Sequence, residues 1–390
     1  MHNKPGIRAK TLLTIGIAAA SFGAQAEEFM VGAHMPLTGA IARSGTAFNE
    51  GIQAAVDVFN RTNGKHTIKY VAIDDESAPA KAVAAVEKLA PQGAVAIIGG
   101  YGSNIIGPAS DAANRLKLTY ITAGGVGEEL TKRGYKTFFR VNNTAGYQRA
   151  TETLLKEMDA KSVSIVYSTK EATAELAKAV EKDMSAKGVK VFLHPFDPAI
   201  TDFKPIINKI KLQDKSEVLM MSAYENDYVG ILRAAKVLKP PVKSVIGMWS
   251  LAVPKMASDF PDLMPSVIGT AMLPYPVEYQ NAEGKQFAET YKRMFNKEVD
   301  YLSQFGFVKA TLLFEAIARA ADNGALKAGG LSEELRKTDR DTLIGRVTFD
   351  ASGDNPNFQQ RMGQHDNGKI VIVSPASAAN GKLKYPSVPW

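Results

Sequence analysis

Two hydrophobic rhythms alternate along this 390-residue chain. Short continuous apolar runs suit strands buried on both faces. Longer stretches with apolar residues three and four apart suit helices with one buried side. Residues 28–35 (EFMVGAHM) predict a first strand, followed by a loop over 36–45. Phe48, Ile52, Ala55, Val56 and Phe59 then lie on one face of a helix over 48–59. Residues 67–73 alternate as a strand that ends at Asp74-Asp75-Glu76, and 79–89 predict a helix with Ala82, Val83, Val86 and Leu89 inward. Strand and helix in turn, with short links, predict a parallel sheet covered by helices on both faces.

Residues 94–127 form the stretch around which the rest is organised. The apolar run 94–98 predicts a strand, which Gly99, Gly100 and Gly102 break, and Ser103 stands where a helix can begin. That helix carries Ile105, Ile106, Ala109, Ala112 and Ala113 inward. A second strand, 118–122, also opens into a small-residue loop, Ala123-Gly124-Gly125-Val126-Gly127. Glycine lets a main chain approach a ligand closely. Helix starts offer free N–H donors and partial positive charge, so a carboxylate could be held there. Ordinary strand-to-helix turns favour glycine too, and the pattern admits both readings. Ligands on such sheets sit beyond the carboxyl ends of the strands, where both turns lie.

The alternation continues. Residues 137–141 predict a strand and 142–146 a crossing point, after which the pattern restarts. Strands are predicted at 162–167, 189–193, 218–221, 244–247 and 267–272, with helices at 147–158, 171–186, 207–212 and 227–238. The result is a second domain of the same type. Long amphipathic helices follow at 280–295 and 302–322. The second of these carries Phe305, Val308, Leu312, Leu313 and Ile317 on a core-facing stripe. Strands at 342–349 and 369–373 close the pattern, with a turn region over 351–357 between them, and 375–390 reads as an irregular surface arm. The expected fold class is therefore α/β, with two doubly wound parallel-sheet lobes.

Composition sharpens the class. Lys4, Arg8 and Lys10 precede the apolar run 12–22, and Ala24-Gln25-Ala26 has the form of a signal-peptidase site. The run is too short to span a bilayer, so residues 1–26 are expected to be a cleaved export signal. The remainder has 44 basic against 40 acidic side chains, a mild +4, with no basic block interleaved with aromatics to suggest nucleic acid. With no cysteine in the sequence, thiol nucleophiles, thiolate metal sites and lipid on cysteine are ruled out together. No cofactor is expected. The serine-hydrolase elbow fails because Gly100-Tyr101-Gly102-Ser103-Asn104 lacks its final glycine. Neither turn fits a dinucleotide fingerprint, and His2, His34, His66, His194 and His365 are scattered without metal-ligand spacing. Asp74-Asp75-Glu76 could bind a cation, but a solvated strand end accounts for it better. The chain is not expected to be an enzyme.

The sequence resembles the type I periplasmic solute-binding proteins of the branched-chain amino acid class, which work with ABC importers. The resemblance covers nearly all of the chain after residue 26. It is carried by Pro36-Leu37-Thr38-Gly39, Phe48-Asn49-Glu50-Gly51, Asp74-Asp75 and Pro108-Ala109-Ser110-Asp111. Glu129-Leu130-Thr131, Arg133-Gly134-Tyr135 and Phe139-Arg140 complete the set, in that order. It implies two lobes joined by three crossovers near 142–146, 272–277 and 349–357. The first lobe would comprise 27–144 and 273–350, and the second 145–272 and 351–390. It further implies a monomer in the periplasm that holds a small molecule in the cleft, closes by a hinge motion and meets a membrane permease. A ligand-sensing receptor of the same fold is the alternative. The family's disulfide positions align with Ser77 and Gly102, so that bridge is lost as a unit.

Carried over residue by residue, the family's carboxylate-binding serine matches Ser103, and its backbone pair matches Gly124 and Gly125. The threonine that touches both ends of an amino acid is Val126 here, and the glutamate that pairs with the ammonium is Trp249. A stacking tyrosine aligns with Ala172, and an aromatic of the first lobe with Ser44. An ammonium buried without a carboxylate costs several kcal/mol. Glu225, beside Tyr224, is the one candidate replacement acid. The expected ligand is therefore a small carboxylate or amide with an apolar or aromatic body, with an amino acid as the alternative should Glu225 supply the counter-charge. Ser103, Gly124 and Gly125 would hold its polar end, and Tyr101, Tyr147, Tyr224, Trp249 and Phe305 would supply stacking surface or plain core packing.

Overall fold

The computed structural model describes residues 1–2, 26–326 and 329–390. The expected export signal falls almost wholly outside the described residues. The first half of the chain runs β1 (Glu27–Met35), α1 (Ala42–Thr62), β2 (His66–Asp74), α2 (Pro79–Leu89), β3 (Ala94–Ile98), α3 (Ser103–Arg115), β4 (Thr119–Thr122), α4 (Glu129–Lys132) and β5 (Phe138–Arg140). These five strands form one fully parallel sheet in the order β2-β1-β3-β4-β5. The chain then crosses into α5 (Thr144–Glu157), β6 (Ser162–Ser168), α6 (Glu171–Ala186), β7 (Lys190–Phe196), α7 (Lys204–Lys209), β8 (Val218–Ser222), α8 (Glu225–Leu238), β9 (Ser244–Gly247), α9 (Pro254–Asp259) and β10 (Ile268–Ala271).

It next returns to the first sheet's side. The helices α10 (Ala282–Phe295) and α11 (Tyr301–Asp322) lie against α1. Here Gly51 and Gly306 face the opposite helix so closely that a side chain on Gly51 would collide with the Ser303 carbonyl, and one on Gly306 with that of Phe48. After α12 (Leu331–Arg336) come β11 (Asp339–Thr342) and β12 (Gly345–Thr348), then β13 (Arg361–Asp366) and β14 (Lys369–Ser374). The last two complete a seven-stranded sheet ordered β14-β13-β10-β9-β8-β6-β7.

Two expectations need correction. The single strand expected at 342–349 is an antiparallel hairpin, β11–β12, because Leu343 and Ile344 occupy its turn rather than a strand interior. The second sheet is not purely parallel: β13 pairs antiparallel with both β10 and β14. Its sequence, RMGQHD, carries little apolar signal. Gln364 and His365 are buried through polar bonds instead, Gln364 to the Ser266 carbonyl (3.0 Å) and His365 Nε2 to the Leu251 carbonyl (2.8 Å). The segment after Pro375 is irregular apart from a turn at Ala376–Ala378, and it is tied to the sheet by Asn380, Lys384 and Ser387.

The first and last crossings are fastened together. Arg140 is fully buried and forks onto Asp354 (Nε–Oδ1 2.9 Å, Nη2–Oδ2 2.8 Å). Asn143 donates to the Asn355 carbonyl (2.9 Å), and Asn355 returns a bond to the Val141 carbonyl (3.0 Å). Arg140 also donates to the carbonyls of Val126 and Gly127 (2.8 and 2.7 Å), so the same side chain that joins the two crossings fixes the second glycine turn. No described helix is long and apolar enough to cross a membrane.

Candidate ligand-binding site

Both sheets reverse their strand order where ligands bind in doubly wound folds. In the first, β1 lies between β2 and β3; in the second, β6 lies between β7 and β8. The loops after β3, β4, β8 and β9 meet there around a narrow cavity of about 20 Å³. Tyr101, Ser103, Gly124, Val126, Tyr147, Tyr224, Trp249 and Phe305 all line it. The rings interlock: Tyr147 meets Trp249 edge-on at 5.6 Å, Tyr224 stacks on Trp249 at 6.3 Å, and Phe48 tilts onto Tyr101 at 5.6 Å.

Gly125 does not line the cavity. A side chain there would press on Leu130 and Ile106, so its open face is turned into the first lobe's core. Gly124 is present for clearance. A side chain on it would strike the Gly100 carbonyl and the Tyr101 main chain, so only glycine lets the two turns pack together. Its N–H is already engaged with Thr122 Oγ1 (3.0 Å).

Ser103 is the pivot. Its hydroxyl oxygen accepts the N–H groups of Val126 (3.1 Å) and Gly127 (2.9 Å), which leaves its own O–H free to donate. It opens α3, whose N-cap, Gly102 at φ +92°, provides no side-chain acceptor for the helix start. Asn142 donates to the Tyr147 hydroxyl (2.9 Å), so the Tyr147 proton is unspent and Asn142 Oδ1 is buried without a partner. Trp249 Nε1 is likewise buried and unpartnered. Burial raises the pKa of Tyr101, Tyr147, Tyr224 and Tyr301, so each stays a neutral hydroxyl. Among the described residues that line the cavity, none carries a carboxylate, ammonium or guanidinium group.

Glu225, the candidate replacement acid, lies just outside. It faces a larger cleft open to solvent and does not line the aromatic cavity. One carboxylate oxygen accepts both the N–H of Ser44 (2.9 Å) and its hydroxyl. The other stands 3.6 Å from Arg43. Burial pushes the Glu225 pKa up, while Ser44 and Arg43 pull it back.

Gly102, Ala123 and Ala172 line the aromatic cavity too, as do Phe48, Asn142, Tyr301 and Leu302, and sequence reasoning gave none of these last four a site role. Phe48 was legible only as the apolar face of a helix, and Asn142 only as part of a crossing. Tyr301 and Leu302 stand at the start of α11, whose N-cap acid Asp300 accepts from the Ser303 N–H (2.8 Å) and so sets where the helix begins. That capping pair was the available signal.

The family model for periplasmic binding proteins matches residues 28–369, and the chain belongs to that family. A Leu/Ile/Val-binding protein homolog from Brucella suis is 25% identical over 395 residues, covering 96% of this chain and 97% of the relative. The fold also matches a leucine-binding protein from Thermotoga maritima with a TM-score of 0.80 at 22% identity, over 90% of this chain and 99% of that one. A solute-binding protein of an R. palustris ABC transporter, solved in complex with benzoate, matches with a TM-score of 0.77 at 19% identity, over 89% and 95%. These relatives are solute-binding proteins, not enzymes.

Proposed function

We propose that this protein is the periplasmic substrate-binding component of an ABC importer. In this reading it takes up a small carboxylate or amide with an apolar or aromatic body and hands it to a membrane permease. The single observation that carries the ligand class is the chemistry of the cavity wall: aromatic rings, three unspent neutral donors, one unspent amide oxygen on Asn142 and no charged side chain. The donors are the Ser103 hydroxyl, the Tyr147 hydroxyl and the Trp249 indole N–H. An acid or carbonyl oxygen there meets those donors and the partial positive charge of the α3 start. An α-ammonium group meets no carboxylate in the cavity wall, because Glu225 lies outside it, one oxygen held by Ser44 and the other 3.6 Å from Arg43 without a hydrogen-bond partner. Burying it unpaired costs several kcal/mol. Proteins of the same fold are solved with benzoate, with isoleucine and with leucine, so the ligand class rests on the wall chemistry and not on the fold.

Calorimetric titration of the exported form with benzoate, benzamide, leucine and valine tests the proposal. Binding of an acid or amide without measurable binding of the two amino acids is expected. Tight leucine or valine binding with neither aromatic bound would overturn it.

A further inference from the structure

The start of α1 lacks a cap of its own. Ile41 stands at the N-cap with no side-chain acceptor, and the first turn contains no acid. Such a start leaves N–H donors unsatisfied. The acceptor comes instead from the other lobe: Glu225, at the start of α8, takes the Ser44 N–H at 2.9 Å and is itself only 1% exposed. The contact does not stand alone. The Ser44 hydroxyl meets Ser250 Oγ at 2.5 Å, and Ser250 Oγ meets the Tyr101 hydroxyl at 3.1 Å. The Ser250 N–H donates to the Tyr301 hydroxyl at 2.6 Å. The chain Glu225–Ser44–Ser250–Tyr101 therefore alternates between the two lobes at every step.

Ser250 has φ +63°, a left-handed conformation that a residue with a side chain adopts only at a cost. That geometry turns its N–H toward Tyr301 and its hydroxyl toward Ser44 and Tyr101. Tyr101 and Tyr301 are cavity-wall residues, whereas Glu225 and Ser250 face the outer cleft. The chain thus forms the partition between the ligand cavity and the solvent-open cleft.

We infer that Glu225 is a closure latch: it caps α1 across the cleft and, through Ser44 and Ser250, holds the lobes shut over the ligand cavity. The latch does not depend on which ligand is bound, so it stands or falls separately from the proposed substrate class. It also gives the buried carboxylate a role other than that of ammonium partner.

Amide hydrogen exchange resolved at single residues in the ligand-free protein tests the cap. The Ser44 N–H is held by Glu225, whereas the neighbouring Arg43 N–H has no acceptor among the described residues. Ser44 is expected to exchange at least tenfold more slowly than Arg43. Glu225→Ala should abolish that difference, and Glu225→Gln, whose amide oxygen can still accept, should keep most of it. Unchanged protection in the body of α1 would show that the variants fold. Spin labels on Lys88→Cys and Lys182→Cys, one on each lobe of a chain without native cysteine, report closure. Their separation should lengthen in Glu225→Ala. Equal exchange at Ser44 and Arg43 in the unsubstituted protein, or slow exchange at Ser44 that survives Glu225→Ala, would overturn the inference. So would lost protection with an unchanged interlobe distance.

Discussion

Replacing Ser103 with alanine separates the two roles that one hydroxyl performs. Ser103 is 2% exposed, and its oxygen accepts from two buried N–H groups, those of Val126 and Gly127. Ser103→Ala strands both. A buried donor without a partner costs about 1–3 kcal/mol. At the low end, two such groups amount to about 2 kcal/mol. At about 2–4 °C per kcal/mol for a lobe of this size, the melting temperature should fall by about 4–8 °C. The ligand loses a different bond, the one donated by the hydroxyl proton. A hydrogen bond to a charged oxygen contributes about 1.5–3 kcal/mol, so affinity for the best-binding acid should drop about 10- to 150-fold. Differential scanning fluorimetry reads the first effect and isothermal titration calorimetry the second. If the melting temperature falls while affinity changes less than twofold, Ser103 only braces the glycine turn and its proton makes no bond to the ligand.

Two further substitutions probe the frame around the site. Arg140→Lys keeps the charge but cannot reach Asp354, the Val126 carbonyl and the Gly127 carbonyl together, since an ammonium lacks the guanidinium fork. Disruption of a buried pair costs about 3–5 kcal/mol, so a large loss of melting temperature is expected, and an unchanged value would count against its role in joining the crossings. For Glu225, burial raises the pKa in the closed, folded protein, with Arg43 and Tyr301 facing it and Asp259 drawing on Arg43. The folded form therefore binds the proton more readily than the unfolded chain. Its stabilising effect is complete below the ordinary glutamate value and fades as pH rises through the raised one. Glu225→Gln mimics the protonated form, so its melting temperature should gain on the unsubstituted protein between pH 4.5 and 7.5. A difference independent of pH would contradict the assigned direction.

The strand–turn–helix run from Ala94 to Arg115 was legible almost residue for residue, because a continuous apolar run, three glycines and a serine mark its joints. The cavity's aromatic members were legible as candidates where they follow strand ends, as Trp249 follows β9 and Tyr224 follows β8. Their assembly was not. Phe48, Asn142 and Tyr301 come from a helix face, a crossing and a helix start far apart in sequence, and only the packing of α1 against α11 and the joined crossings brings them together. The sequence also hid the fate of Glu225. Nothing local tells a ligand's counter-ion from a cross-lobe cap, because the difference lies in Ser44, 181 residues away. β13 was missed for a related reason, since its burial rests on hydrogen bonds from Gln364 and His365 rather than on an apolar run.

We propose that the cavity grips an acid or amide and rejects a cation. The sharpest comparison uses two molecules that share a carbon skeleton and a carboxylate and differ only by the α-ammonium group: 4-methylpentanoate and leucine. Titrated side by side, 4-methylpentanoate is expected to bind at least about a hundredfold more tightly, the equivalent of several kcal/mol for an unpaired buried ammonium. Equal affinities, or tighter binding of leucine, would contradict the claim.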